Sequence, residues 1–132
     1  MGVLPTYSFA RTSMEVQELT RHSDRPECQY SVTVHLGSSD DKPWPVELTD
    51  LTGAHQVVNL RPGDGLAYLG CELDHWRTPC PSKWYSQAFL HYVDESRSNR
   101  IYDGRAALGL PPVSKTRAGN GRPVPTVIRE TV

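Results

Sequence analysis

The sequence predicts an all-β fold, a sandwich or a barrel. Over about residues 1–95, short apolar or alternating runs recur between turn signals at strand-like spacing, and no helical apolar period is sustained anywhere. The length agrees: 132 residues make one domain, long enough to bury a core without disulfides or a structural metal.

The first strand is expected over residues 5–11, the run Pro5 to Arg11, and the second over 17–22. Between them, Thr12 to Thr20 has room for one or two helical turns at most. Residues 29–36, Gln29-Tyr30-Ser31-Val32-Thr33-Val34-His35-Leu36, are rich in β-branched and aromatic side chains, which pack well on a pleated surface. The loop Gly37-Ser38-Ser39-Asp40-Asp41-Lys42-Pro43 follows. Further strands are expected at 44–49 and 55–60. Arg61-Pro62-Gly63-Asp64-Gly65 is a turn in which proline presets one backbone angle and glycine supplies a positive φ. Strands at 65–69, 72–78 and 83–93 complete the series. After about Gly104 the character changes. Leu108 to Thr126 is rich in proline, glycine and basic residues, so we divide the chain into a domain over 1–103 and an extended tail over 104–132.

The formal net charge is −1, which gives no signal for nucleic acid or an acidic membrane surface. No apolar run approaches the roughly 20 residues of a membrane helix. The start of the chain lacks a basic region followed by a long apolar stretch, so no secretory signal is expected and a cytoplasmic location is. Cys28, Cys71 and Cys80 are odd in number and contain no CxxC pair; they read as reduced thiols.

Of five histidines, only His22 has a carboxylate two residues on, in His22-Ser23-Asp24. On an extended segment, residues i and i+2 face the same side, so one nitrogen and one oxygen ligand converge. A second histidine from a distant strand completes a face of two histidines and one carboxylate. Such a face leaves coordination positions open, as an iron(II) oxygenase requires. His75 is the candidate. It follows the turn Pro62-Gly63-Asp64-Gly65 and the strand Leu66-Ala67-Tyr68-Leu69. Beyond it comes Lys83, heading Trp84-Tyr85-Ser86-Gln87-Ala88-Phe89-Leu90-His91-Tyr92. A buried lysine without an anion is costly, so a carboxylate ligand would give it a reason to be there.

Several stretches together resemble the 2-oxoglutarate and iron(II)-dependent dioxygenases, and in flavour the prolyl 4-hydroxylase-like branch. They are Arg21-His22-Ser23-Asp24-Arg25-Pro26, Gln29 to Val34, Pro62-Gly63-Asp64 and Gly70-Cys71-Glu72-Leu73-Asp74-His75-Trp76-Arg77, then Cys80-Pro81, Lys83-Trp84-Tyr85-Ser86 and Leu90-His91. The resemblance spans about residues 5–93. It implies a double-stranded β-helix, the cupin-like jelly roll, with little helix. It implies oxidative decarboxylation of 2-oxoglutarate coupled to hydroxylation by dioxygen, with ascorbate as an auxiliary reductant. Carried across by position, His22, Asp24 and His75 are the iron ligands and Lys83 binds the far carboxylate of 2-oxoglutarate. Related halogenases replace the carboxylate ligand with a small residue, so Asp24 implies hydroxylation. One departure lies before His22: Arg11 to Glu15 carries no tyrosine where prolyl hydroxylases usually have one, and the nearest is Tyr7.

Two other site residues follow from position. Tyr85 shares a strand face with Lys83, where it lines a pocket or packs in the core. Arg77, two residues after His75, contacts the cosubstrate or substrate, or else forms a surface salt bridge. The expected partner is a small-molecule or peptide substrate, with no membrane, and a homodimer would cover a sheet face left bare by the short N-terminus. The competing reading is a catalytically silent jelly-roll module for metal binding or protein interaction.

Overall fold

The computed structural model describes residues 2–97 and 126–128. Its strands are β1 Val3–Met14, β2 Leu19–His22, β3 Tyr30–Ser38, β4 Val46–Thr49, β5 His55–Val58, β6 Gly65–Tyr68, β7 His75–Arg77, β8 Trp84–Asp94 and β9 Thr126–Ile128. Two short 3-10 turns, Pro26–Cys28 and Glu95–Arg97, are the only helical pieces among the described residues.

The strands form two antiparallel sheets. One has the order β1-β8-β3-β6-β9 and the other β2-β7-β4-β5. The pairing is nested: β1 with β8, β2 with β7, β3 with β6, β4 with β5. A long hairpin of eight strands, rolled so that alternate pairs fall in opposite sheets, gives this order; it is the jelly roll. The expected all-β class and the eight expected strands are all present.

Alternation decides what each sheet turns inward. The small sheet contributes Val46 and Leu48, which join Leu60, Leu66, Tyr68, Leu69 and Leu73 in an apolar cluster. The buried row on β3 is different: Ser31, Thr33 and His35. On β8 the buried positions include Tyr85, Gln87 and His91. These interior side chains are polar, and buried polar groups are costly unless something bonds them. The site lies here.

The turns position these rows. Gly63 has φ 91°, the left-handed conformation expected of its Pro-Gly-Asp turn. Gly63 N donates to the His35 carbonyl at 2.8 Å and His35 N to the Asp64 carbonyl at 3.0 Å, which fastens β3 to β6.

Two expectations change. Thr12 to Thr20 forms no helical turn, because β1 keeps pairing with β8 as far as Met14 opposite Trp84. A tight turn at Glu15–Val16 then leads to β2, with Gln17 N on the Met14 carbonyl at 3.1 Å. The strand expected over 72–78 shortens to His75–Arg77, because Leu69 to Leu73 closes a turn through Leu73 N on the Leu69 carbonyl at 2.9 Å. Within the expected tail, Thr126–Ile128 pairs with β6 as β9. The remainder of 104–132 lies outside the described residues, and with it the domain boundary at 103.

Candidate metal centre

His22 ends β2 and His75 begins β7, and the two are register partners across the β2–β7 pair. Their rings lie 4.4 Å apart, centroid to centroid. Asp24 follows His22 just past the strand end, held by its backbone N–H on the Gly70 carbonyl at 2.8 Å. His22 Nε2 and His75 Nε2 each lie 3.3 Å from Asp24 Oδ1. The sequence spacing predicted this convergence, and the ligand atoms of these three residues lie close enough together to hold one metal ion.

The hydrogen bonds on the far side of each ring fix its tautomer. His22 Nδ1–H donates to the Thr20 carbonyl at 2.7 Å and His75 Nδ1–H to the Leu73 carbonyl at 2.9 Å. A carbonyl only accepts, so the ring proton sits on Nδ1 and a neutral ring presents a bare Nε2 lone pair. Two such lone pairs and a carboxylate oxygen then face one another, an arrangement that needs positive charge between them. Two added ring protons or one divalent cation would supply it. Backbone carbonyls orient metal-binding histidines in this way. Two ligand atoms at right angles, each about 2.1 Å from an ion, stand about 3 Å apart, so the 3.3 Å spacings fit a shared ion. The donor set of two imidazoles and one carboxylate suits iron(II).

Electrostatics agrees. Burial raises the Asp24 carboxyl, but His75, with His22 and His91 adding, outweighs it when the rings carry protons and holds the carboxyl below its ordinary value; a cation held between them would act in the same direction. Asp24 is therefore ionised at neutral pH. The Tyr68 ring packs edge-on against His75 at 4.9 Å and closes the apolar side.

Two residues along β7 from His75, Arg77 also points inward and is only 4% exposed. Its guanidinium lies over the rings of Trp44 (4.5 Å) and Tyr85 (5.2 Å), and Nη1 donates to the Trp44 carbonyl at 2.8 Å. Burial pushes the guanidinium below its usual value, while Tyr85 acts the other way. Among the described residues it forms none of the surface salt bridges that exposed arginines favour. Among the described residues, Arg77 Nη2, the Tyr85 hydroxyl, Gln87 Oε1 and His35 Nε2 are buried without a partner in good hydrogen-bonding geometry, although Arg77 and Tyr85 attract each other. Such atoms are rare in a finished interior and point to a missing polar group. His35 stacks on Tyr85 at 4.0 Å and is the register partner of Gln87, so these three residues share one wall.

Lys83 lies elsewhere. It is exposed, because β8 begins only at Trp84 and leaves it on the preceding loop, where its carbonyl accepts from Glu15 N at 3.3 Å. The buried cation expected at the head of the last strand is instead Arg77, on the neighbouring sheet. Tyr85 is buried at 1% exposure, as one of its two expected settings requires.

The structure adds residues that sequence reasoning missed. Tyr7 on β1 packs against His91 at 4.7 Å, bonds Cys28 Sγ at 3.1 Å and accepts from Arg25 Nη2 at 2.9 Å. It stands beside the site although it is far from His22 in sequence. Ser31 and His91 approach Asp24 from the large sheet, and Asp24, Cys28 and His91 form a second close group. Strand alternation, which puts His91 on the face of Tyr85 and Gln87, was the available signal for His91.

No protein-family model matches the chain, and no curated protein does. Among solved structures, a cupin domain from Bordetella pertussis Tohama I aligns with a TM-score of 0.46 at 13% identity, over 70% of this chain and 95% of that one. The fold assignment rests on the nested strand order. The chain is a jelly-roll protein whose interior brings two histidines and a carboxylate to one point beside a buried, incompletely bonded arginine.

Proposed function

We propose that the protein is an iron(II)- and 2-oxoglutarate-dependent dioxygenase that hydroxylates its substrate. The observation that carries this reading is the convergence of two bare Nε2 atoms on one Asp24 oxygen, at 3.3 Å each. His22, Asp24 and His75 would hold the iron on one face. When bound, iron(II) would supply dioxygen activation coupled to decarboxylation of the cosubstrate.

The chain's own groups fit the cosubstrate. 2-Oxoglutarate needs a cation for its far carboxylate, and Arg77 offers one on the same strand face as His75. Its Nη2 and the Tyr85 hydroxyl are neighbouring buried donors with no partner in good hydrogen-bonding geometry among the described residues, and both are placed to donate to an anion. A guanidinium in a dry site binds a carboxylate through charge-assisted hydrogen bonds. The anion would relieve the cost of burying Arg77 uncompensated. Arg77 thus takes the role that the sequence assigned to Lys83. Asp24 occupies the position that a halogenase leaves open, which favours hydroxylation over halogenation.

Formation of succinate from 2-oxoglutarate by the iron-loaded protein tests the reading, since uncoupled turnover needs no known substrate. Losing the charge-assisted bonds in Arg77→Leu should weaken 2-oxoglutarate binding about 10- to 100-fold. Iron affinity should stay within about twofold, because Arg77 is not a ligand. Unchanged 2-oxoglutarate affinity in Arg77→Leu, or no iron-dependent succinate from the wild type, would contradict it.

A further inference from the structure

The two oxygens of Asp24 have different partners. Oδ1 faces His22 and His75, whereas Oδ2 accepts from Ser31 Oγ at 3.3 Å. Ser31 is buried at 1% exposure, and its Oγ also lies 2.9 Å from His91 Nδ1 and 3.3 Å from the Cys28 carbonyl. A serine hydroxyl has one proton to give. An ionised carboxylate is the stronger acceptor, so that proton goes to Asp24 Oδ2. The hydrogen of the Ser31–His91 bond must then come from the ring, with Nδ1–H donating to Oγ. The relay has one direction, His91 to Ser31 to Asp24.

The surroundings hold the relay in place. His91 is 5% exposed and packed against the Tyr7 ring at 4.7 Å. Gly70 stands behind the carboxylate. A Cβ there would come within 2.6 Å of both Asp24 Oδ2 and Ser31 Oγ and would also strike the Cys28 carbonyl. Only a residue without a side chain lets these groups meet.

We propose that Ser31 and His91 are positioning residues that keep Asp24 a one-oxygen metal ligand. With Oδ2 engaged by Ser31, only Oδ1 is free to bind, and the metal retains its open positions for cosubstrate and dioxygen. A carboxylate released from Ser31 would rotate to offer both oxygens and close one of those positions. This inference rests on the reading of His22, Asp24 and His75 as metal ligands, though not on the identity of the cosubstrate.

Cobalt(II) is a suitable probe, because its visible bands report coordination number without turnover. Titrations would compare the wild type with Ser31→Ala, His91→Leu, His91→Asn and His75→Ala, alongside apo-protein melting curves. Ser31→Ala and His91→Leu should weaken cobalt(II) binding about 10- to 100-fold and shift the visible bands. His91→Asn keeps an N–H near the place of Nδ1 and should restore affinity to within about threefold of wild type, with wild-type bands. If Ser31→Ala and His91→Leu lower only the apo melting temperature, leaving affinity and bands unchanged, the two residues are merely structural and the inference fails. Wild-type binding no tighter than that of His75→Ala would overturn the metal reading itself, and the positioning role with it.

Discussion

Cys28 shows how strongly the interior beside the candidate metal centre disfavours new charge. Its thiol is pushed up to about 11 from 9.0, first by burial and then by the Asp24 charge, against the opposing bond from Tyr7. A group whose pKa is raised on folding contributes stability that is complete below its unfolded value and disappears as the pH rises through the folded one. The window here runs from about 9 to about 11. The urea midpoint should therefore fall across that window more steeply in the wild type than in Cys28→Ala, where this titration is absent. Equal slopes in the two proteins would contradict the assignment. At pH 8 the same residue should resist alkylation while the half-buried Cys71 reacts, because the thiolate is the nucleophile.

The β4–β5 hairpin carries the far end of the small sheet, and a single carboxylate organises its turn. Asp50 Oδ1 accepts from Thr52 N at 2.9 Å, Thr52 Oγ1 at 2.6 Å and Ala54 N at 3.0 Å, and Oδ2 accepts from Gln56 at 2.9 Å. The Thr52 and Gln56 side chains lead in lowering this carboxyl from 3.8 to about 2. A depressed carboxyl stabilises the fold above its unfolded pKa, and that contribution is lost as the pH falls from about 4 towards 2. In Asp50→Ala the Thr52 and Ala54 amides should exchange about tenfold faster. Unchanged exchange would show that the turn closes without Asp50. At this scale much was legible in advance. The eight strands were visible because β-branched and aromatic runs alternate between Pro-Gly and Asp-rich turns, as around Gly63. His22 and Asp24 were legible because i and i+2 share a strand face. Lys83 was placed inward by the same alternation, but β8 starts one residue later and pairing does not reach it. Arg77 could not be told from a surface residue until the β2–β7 register put it behind Trp44. Ser31 and Tyr7 meet the site only through pairings between strands distant in sequence, which no local pattern records.

Across the whole molecule, the nested pairing places the candidate ligands on β2, on the turn after it and on β7. Contact between β2 and β7 is short, with only Leu19 opposite Arg77 and His22 opposite His75 in register. A metal there would tie the second strand to the seventh and fix one edge of the small sheet. Anything that binds the folded state alone stabilises it, by about 2.7 kcal/mol at a free concentration 100 times its dissociation constant. The large sheet supplies the polar wall of Tyr85, Gln87 and His35, so the cosubstrate would be held between Arg77 of the small sheet and Tyr85 of the large one. The measurement that tests this most directly is an anaerobic titration of the protein with iron(II) and 2-oxoglutarate, following the visible metal-to-ligand charge-transfer band. A band that needs both components and vanishes in His75→Ala is expected. A folded protein that gives no band, or a band that survives in His75→Ala, would contradict it.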